Sequence, residues 1–263
     1  MVWLTSQPVG VLIGGCLAVA VLIVIASRLA VRTFLSESHH DGAYSIAAPL
    51  MSPLGAGFAI LAALTLANEA SALTDAESIV SSEAADVSRL AWAATTPGVE
   101  AGPVHAALLR YLEATRENEW HGPEAAVGND AATSSAVADL ERAVRVQAVK
   151  PGLGTPASSE LLSSVDAVTT DRRARLAAAA KQLPGLYVIT LVVSGIVLIV
   201  NAGVLTVRVQ RRGALVIGGL TVVLGLSVAL ILALGNLWGG SVGVSGYPLD
   251  AVVDDLTRGY FHS

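Results

Sequence analysis

Charged side chains are scarce in this 263-residue chain, at 14% of residues, against about 25% in an average soluble domain. They are absent from four long stretches, residues 1–27, 42–68, 182–207 and 213–249. Each stretch exceeds the roughly 20 apolar residues that cross the hydrocarbon core of a bilayer. With a mean hydropathy of +0.63, this pattern excludes a disordered chain and argues against an ordinary soluble enzyme.

Cysteine is nearly absent as well, since the one residue of this type is Cys16, within an apolar run. A single cysteine excludes an internal disulfide and a C-x-x-C metal site, so we interpret Cys16 as an apolar side chain packed in a membrane helix. The phosphate-binding G-x-x-x-x-G-K loop and the H-E-x-x-H zinc motif are also missing. A net charge of −5 without a basic patch is unlike a nucleic-acid binder. We therefore expect no enzyme, no catalytic residue, no cofactor and no nucleic-acid partner.

The apolar runs predict four membrane helices, at about residues 9–31, 45–67, 185–207 and 214–238. Backbone that faces lipid must satisfy its own hydrogen bonds, so apolar runs of this length form helices. The first run has no Lys or Arg before Arg28 and is longer than the apolar region of a signal peptide. We therefore expect it to be a retained membrane helix.

The polar segment between the second and third spans predicts a helical domain, with 16 acidic and 10 basic residues between 68 and 183. Apolar side chains recur at helical spacing after the second span, so that helix should continue as far as Pro97-Gly98. Pro103 and Thr155-Pro156 are typical of the first turns of further helices. Alternating strand patterns are few in this segment.

The predicted fold is therefore all-α, with two membrane hairpins joined by an inserted helical domain. The expected boundaries are 1–67 and 184–238 for the hairpins, 68–183 for the helical domain and 239–263 for a polar amphipathic tail. Arg outnumbers Lys by 14 to 2, which is typical of a GC-rich bacterial genome, and we expect a multi-pass protein of the bacterial inner membrane. An even number of spans puts both termini and the helical domain on one side. The positive-inside rule decides little about which side, because five Arg flank the short loops and four basic residues precede the third span.

A series of landmarks follows in a recognisable order between and after the paired spans. In chain order these are Glu83-Ala84, Arg89, Tyr111, Glu119-Trp120, Arg172, Arg175, Leu183-Pro184, Gly240, Val244-Ser245 and Pro248-Leu249. This ordered set, over about residues 55–256, resembles the bestrophin-like family of bacterial multi-pass membrane proteins. The resemblance implies a distant similarity to bestrophins, which are pentameric anion channels with a cytoplasmic helical domain.

The segment after the fourth span departs from this family. Members tend to have Leu-Asp-x-Pro-Phe-x-Gly there, whereas residues 234–240 of this chain read Leu-Gly-Asn-Leu-Trp-Gly-Gly. Because the acidic residue and the proline are missing, any family role that needs that carboxylate or that kink is not carried over.

The charged landmarks lie on predicted helices with apolar neighbours, which favours a structural role. We expect Glu83, Arg172 and Arg175 to form a charge network between the two long helices of the helical domain. Removing one partner from such a buried network leaves an uncompensated charge. Glu119-Trp120 marks either a binding site or, as we favour, a Trp at a helix end beside a Glu paired with a basic neighbour.

Polar side chains inside the spans are the other candidates. Thr190, Ser194 and Asn201 are four and seven residues apart and therefore share a face of the third span, while Thr221 and Asn236 lie in the fourth. Such groups either hold membrane helices together or line a water-filled pathway. No charged residue lies inside a span, which argues against an ion-coupled transporter with intramembrane carboxylates.

The loop after the first span holds Glu37, His39, His40 and Asp41, which have the donor types of a metal site. Metal sites need three or four ligands in fixed geometry, and adjacent residues of one loop do not supply that. We interpret the segment as a solvated loop, with metal or proton sensing as the alternative.

Two functions fit these observations. The first is an oligomeric ion channel or pore, in which a ring of subunits encloses a route that four uncharged spans do not form alone. The second is a non-enzymatic accessory or scaffold subunit of a larger envelope or transport complex. The partners expected are the lipid bilayer and further membrane subunits, either copies of this chain or different proteins.

Overall fold

The computed structural model describes residues 9–34, 40–120, 130–180, 185–205, 211–235, 238 and 243–261. Every regular element in these ranges is helical, and none of them contains a strand. The prediction of an all-helical membrane protein with four spans is confirmed.

Four helices among the described residues are long and apolar enough to cross a membrane. They are α1 (Val9–Phe34), α2 (His40–Ala93), α6 (Gly185–Leu205) and α7 (Arg211–Leu234). Helix α2 has 54 residues, which corresponds to about 80 Å at the usual rise per residue. Its charge-free part ends before Glu69, and we expect the charged remainder of α2 to lie outside the membrane.

The chain forms two compact units, and α2 contributes to both. The membrane unit comprises residues 1–71, 182–236 and 240–242. In this unit α1 packs along α6 and α7, around a core that includes Ala20, Phe58, Leu198, Leu224 and Ile231.

Two glycines of the membrane unit allow α1 to approach its neighbours closely. A Cβ atom at Gly203 would overlap Ser27 Oγ, and one at Gly225 would lie 2.9 Å from Leu17 Cδ2. Small residues at such contacts let the backbones of membrane helices pack against each other.

The helical unit comprises residues 72–181, 237–239 and 243–263. It begins with the last part of α2. The whole of α3 (Ala101–Ala114) follows and continues into a π-helical turn (Thr115–Glu119). The remaining helices are α4 (Ala131–Ala148), α5 (Thr155–Ala180) and α8 (Tyr247–Thr257).

Local sequence explains where several helices of this unit begin and end. After α2, Gly98 adopts a φ of 94° in the turn to α3, a conformation that favours glycine. The Asp130 side chain caps α4 by accepting hydrogen bonds from the backbone N–H groups of Ala132 and Thr133. The core between the helices includes Val80 and Leu108, both fully buried.

The tail joins the helical unit through α8, which contacts α3. Leu249, Val252 and Leu256 recur at helical spacing and are buried. We expected Trp238 at the end of the fourth span, but α7 ends at Leu234 and Trp238 belongs to the helical unit. Its ring packs edge-on against Trp120, with 5.4 Å between the centroids.

Candidate functional site

The helical unit contains a buried charge network centred on Arg175 of α5. Arg175 Nε lies 2.6 Å from Glu83 Oε2 of α2, and Arg175 Nη2 lies 2.8 Å from Glu119 Oε2 at the end of the π-helical turn. Glu83 is 0% exposed, and Arg175 and Glu119 are each 1% exposed. One guanidinium therefore bridges two carboxylates that come from different helices.

Arg172 and Tyr111 complete the network. Arg172, one turn before Arg175 on α5, donates a hydrogen bond to Glu119 Oε1. The Tyr111 hydroxyl, on α3, donates to Glu83 Oε1. Two arginines thus neutralise two glutamates, and the five residues tie α2, α3, the π-helical turn and α5 together.

Trp120 covers one side of the network. The Arg175 guanidinium carbon lies 5.7 Å from the centre of the Trp120 ring, within the range of a cation–π interaction. A Cβ atom at Gly246 would lie 3.1 Å from the Trp120 ring, so glycine allows the segment before α8 to lie against it. Trp120 is therefore packed between the network and the tail.

Burial and nearby charge shift the pKa values of two groups in the network, Tyr111 and Arg175. Burial raises the pKa of the Tyr111 hydroxyl well above its ordinary value, and the negative charge of Glu83 raises it further. Burial alone would lower the pKa of Arg175, but the carboxylates of Glu83 and Glu119 outweigh it, so the pKa is raised. Tyr111 consequently stays neutral and Arg175 stays charged.

The polar residues of the third span lie in different surroundings. Thr190 is exposed and Ser194 is half-buried, and their hydroxyls donate to the carbonyls of Leu186 and Leu191 on the same helix, at 2.8 and 2.9 Å. Because each hydroxyl is satisfied within α6, neither residue is forced to face protein or water.

Asn201, by contrast, makes a contact between helices. Its Nδ2 donates to the backbone carbonyl of Ala47 on α2 at 3.0 Å and lies 3.5 Å from Met51 Sδ. Thr221 of α7 is buried and donates to Ile217 of its own helix at 2.7 Å. Asn236 lies outside the residues that the structure describes.

The loop residues with metal-donor types are placed only in part. Glu37 and His39 lie outside the described residues. His40 and Asp41 form the start of α2.

A known protein family matches this chain over most of its length. The family model of the bestrophin-like domain matches residues 15–249, which is most of the chain. The chain belongs to the bestrophin-like family. The resemblance drawn from the landmark residues is thereby confirmed.

Two solved structures are similar to this bestrophin-like protein. One is a mutant of a bacterial bestrophin homologue from Klebsiella pneumoniae, with a TM-score of 0.69 and 14% identity over 94% of this chain and 98% of that one. The other is a mutant membrane protein with a TM-score of 0.71 and 13% identity over 94% of this chain and 95% of that one. At these identities the likeness shows a shared fold. No curated protein matches the sequence.

The structure brings six landmarks of this bestrophin-like chain into one cluster, the charge network with Trp120. The six are Glu83, Tyr111, Glu119, Trp120, Arg172 and Arg175. Arg89 is separate, since it pairs at the surface with Glu160 at 2.8 Å, where the two side chains are 55% and 44% exposed. The charged groups of the cluster are directed at one another, which suits them to hold helices together.

Sequence reasoning missed a stripe of small side chains on α2 of this bestrophin-like chain. The eight members, which we call the α2 stripe, are exposed Ala and Ser residues spaced three or four apart: Ser45, Ala48, Ser52, Ala56, Ala59, Ala63, Ala67 and Ala70. A second exposed face of the same segment carries large aliphatic residues such as Ile46 and Leu50, 65% and 45% exposed. The signal in the sequence is the recurrence of Ala or Ser every three or four residues.

Proposed function

We propose that this chain is a subunit of an oligomeric bestrophin-type channel in the bacterial inner membrane. Membership of the bestrophin-like family supports the membrane setting and the type of protein. The observation that carries the channel proposal is the exposed α2 stripe in the membrane unit.

The apolar part of α2 has three faces. One face is buried within the chain, at Ala47, Phe58 and Thr65. The face with Ile46 and Leu50 carries the large aliphatic side chains that suit lipid tails. The α2 stripe buries little area against lipid but lets other helices come close. We therefore assign the stripe to the interior of an assembly.

A ring of identical subunits gives this stripe a function. Soluble and membrane oligomers of one chain favour closed symmetry, and equivalent α2 helices then face a common axis. Ala and Ser along that axis leave an open lumen, whereas large aliphatic residues would fill it. A route lined by small, uncharged side chains suits an ion pathway or an apolar gate.

The remaining candidates take supporting roles in this proposal. Thr190 and Ser194, on the outer surface of α6, suit a contact with a neighbouring subunit or a position beside the route. Asn201 and Thr221 suit the packing of helices within one subunit. The charge network around Arg175 suits a structural role in an extramembrane domain, which fits a channel subunit rather than an enzyme.

The test places one large side chain on two faces of the same helix. Ala56→Phe fills the α2 stripe, and Leu50→Phe adds the same ring to the aliphatic face. Both variants and the parent protein are reconstituted in liposomes at equal particle density, and chloride and potassium fluxes are measured. We expect flux in the parent and the Leu50→Phe variant and a large loss of flux in the Ala56→Phe variant, with assembly intact.

Two results would contradict the proposal. Equal flux in the two variants would remove the α2 stripe from the pathway. A parent protein that carries no flux and purifies with unrelated subunits would favour the accessory or scaffold function.

A further inference from the structure

The face of α2 that carries the α2 stripe continues beyond the charge-free segment. Helix α2 runs without interruption from His40 to Ala93, and residues 18 apart on one helix are separated by about five whole turns. Thr74 therefore lies on the same face as Ala56. Ser81 shares the face of Ala63 in the same way, and both Thr74 and Ser81 are exposed. Small side chains thus follow one face of α2 from its apolar part into its charged part.

Glu77 is the first charged side chain on this face beyond the charge-free segment. It lies between Thr74 and Ser81 and follows Ala59, a member of the α2 stripe, by the same 18 residues. The residue is exposed. Among the described residues Glu77 takes part in no ion pair. Its carboxylate is therefore available to mobile ions on the face that we assign to the interior of an assembly.

No basic residue of α2 balances this charge. From the start of α2 as far as Ser88 the sequence contains acidic residues but no Lys or Arg. Arg89, the first basic residue, is bonded to Glu160 of α5 at 2.8 Å. Asp75 is exposed as well, but it is two residues from Glu77 and therefore points about 200° away around the helix. The α2 stripe thus leads to a single negative charge in each subunit.

We infer that Glu77 gives the pathway a preference for cations such as K⁺ over anions, an inference that rests on the proposed channel function. In a ring of identical subunits with the α2 stripes on the axis, every copy contributes one Glu77 carboxylate at the same height. Rings of Asp or Glu side chains select cations in channels. A passage lined by one sign of charge also concentrates the opposite ion by about tenfold or more. This preference is opposite to that of the bestrophin anion channels.

The test removes the charge from one of two acids that lie about 3 Å apart along the axis of α2. Glu77→Gln keeps the shape of the side chain on the face of the stripe, and Asp75→Asn is the matched control on a different face. Each full-length protein is reconstituted in liposomes with a KCl gradient, and the zero-current voltage gives the ratio of K⁺ to Cl⁻ permeability. We expect the parent and Asp75→Asn to favour K⁺ and Glu77→Gln to lower the ratio by about tenfold. Glu77→Asp, which keeps the charge, should keep the preference.

A second measurement needs no variant. Mobile ions screen a ring of charges, because the Debye length falls from about 10 Å at 0.1 M salt to about 3 Å at 1 M. The K⁺ preference of the parent should therefore weaken as the KCl concentration rises.

The outcomes separate this inference from the channel proposal. A parent that conducts without favouring K⁺, a preference that salt does not weaken, or equal changes in Glu77→Gln and Asp75→Asn would refute the role of Glu77 and leave the channel standing. A parent that carries neither ion would refute the channel, and the role of Glu77 with it.

Discussion

Removing the charge of Arg175 should destabilise this protein more than any other single change in the charge network. Arg175→Met keeps much of the side-chain volume beside Trp120 but removes the cation between Glu83 and Glu119, which are 0% and 1% exposed. Breaking a buried ion pair by removing one partner costs about 3–5 kcal/mol. At roughly 2–4 °C per kcal/mol for a chain of this size, the melting temperature should fall by about 6–20 °C.

Arg89→Met is the matched control for this prediction. Arg89 also connects α2 to α5, through Glu160, but the two side chains are 55% and 44% exposed. Exposed pairs contribute about 0–1 kcal/mol, so the control should melt within a few degrees of the parent. Both variants are measured by the change in tryptophan fluorescence on heating in detergent. If Arg175→Met melts with the control, or keeps its stability and loses flux, the structural role of the network is wrong.

Two further changes test individual contacts. Asn201→Leu removes the hydrogen bond to Ala47 and should cost about 0.6 kcal/mol, the average for such bonds in membranes. Thermal melting in detergent measures this loss, and flux per assembled particle should not change. Trp120→Ala should lower the free energy of unfolding by less than the roughly 3–5 kcal/mol of a fully buried Trp, because Trp120 is half-buried. Increased proteolysis of the tail after Trp238 would measure the lost packing.

The four spans could be predicted from the sequence because lipid excludes charge, and the charge-free stretches mark where the helices lie. The end of the fourth span was less predictable. Its charge-free stretch continues to residue 249, and hydropathy does not reveal that Trp238 packs against Trp120 in the helical unit.

The charge network could be predicted only in outline. Arg175 and Glu83 are 92 residues apart and Arg175 and Glu119 are 56 apart, so their contacts depend on how the helices pack. The family resemblance singled out these residues, and their apolar neighbours indicated burial.

The size and symmetry of the purified particle test the central claim most directly. Electron-microscopy images of the full chain in detergent, with a mass from light scattering, show whether copies form a closed ring. The account predicts a ring of identical subunits with the α2 stripes facing the central axis. A monomer, or a particle in which the stripes face lipid or an unrelated subunit, would contradict it.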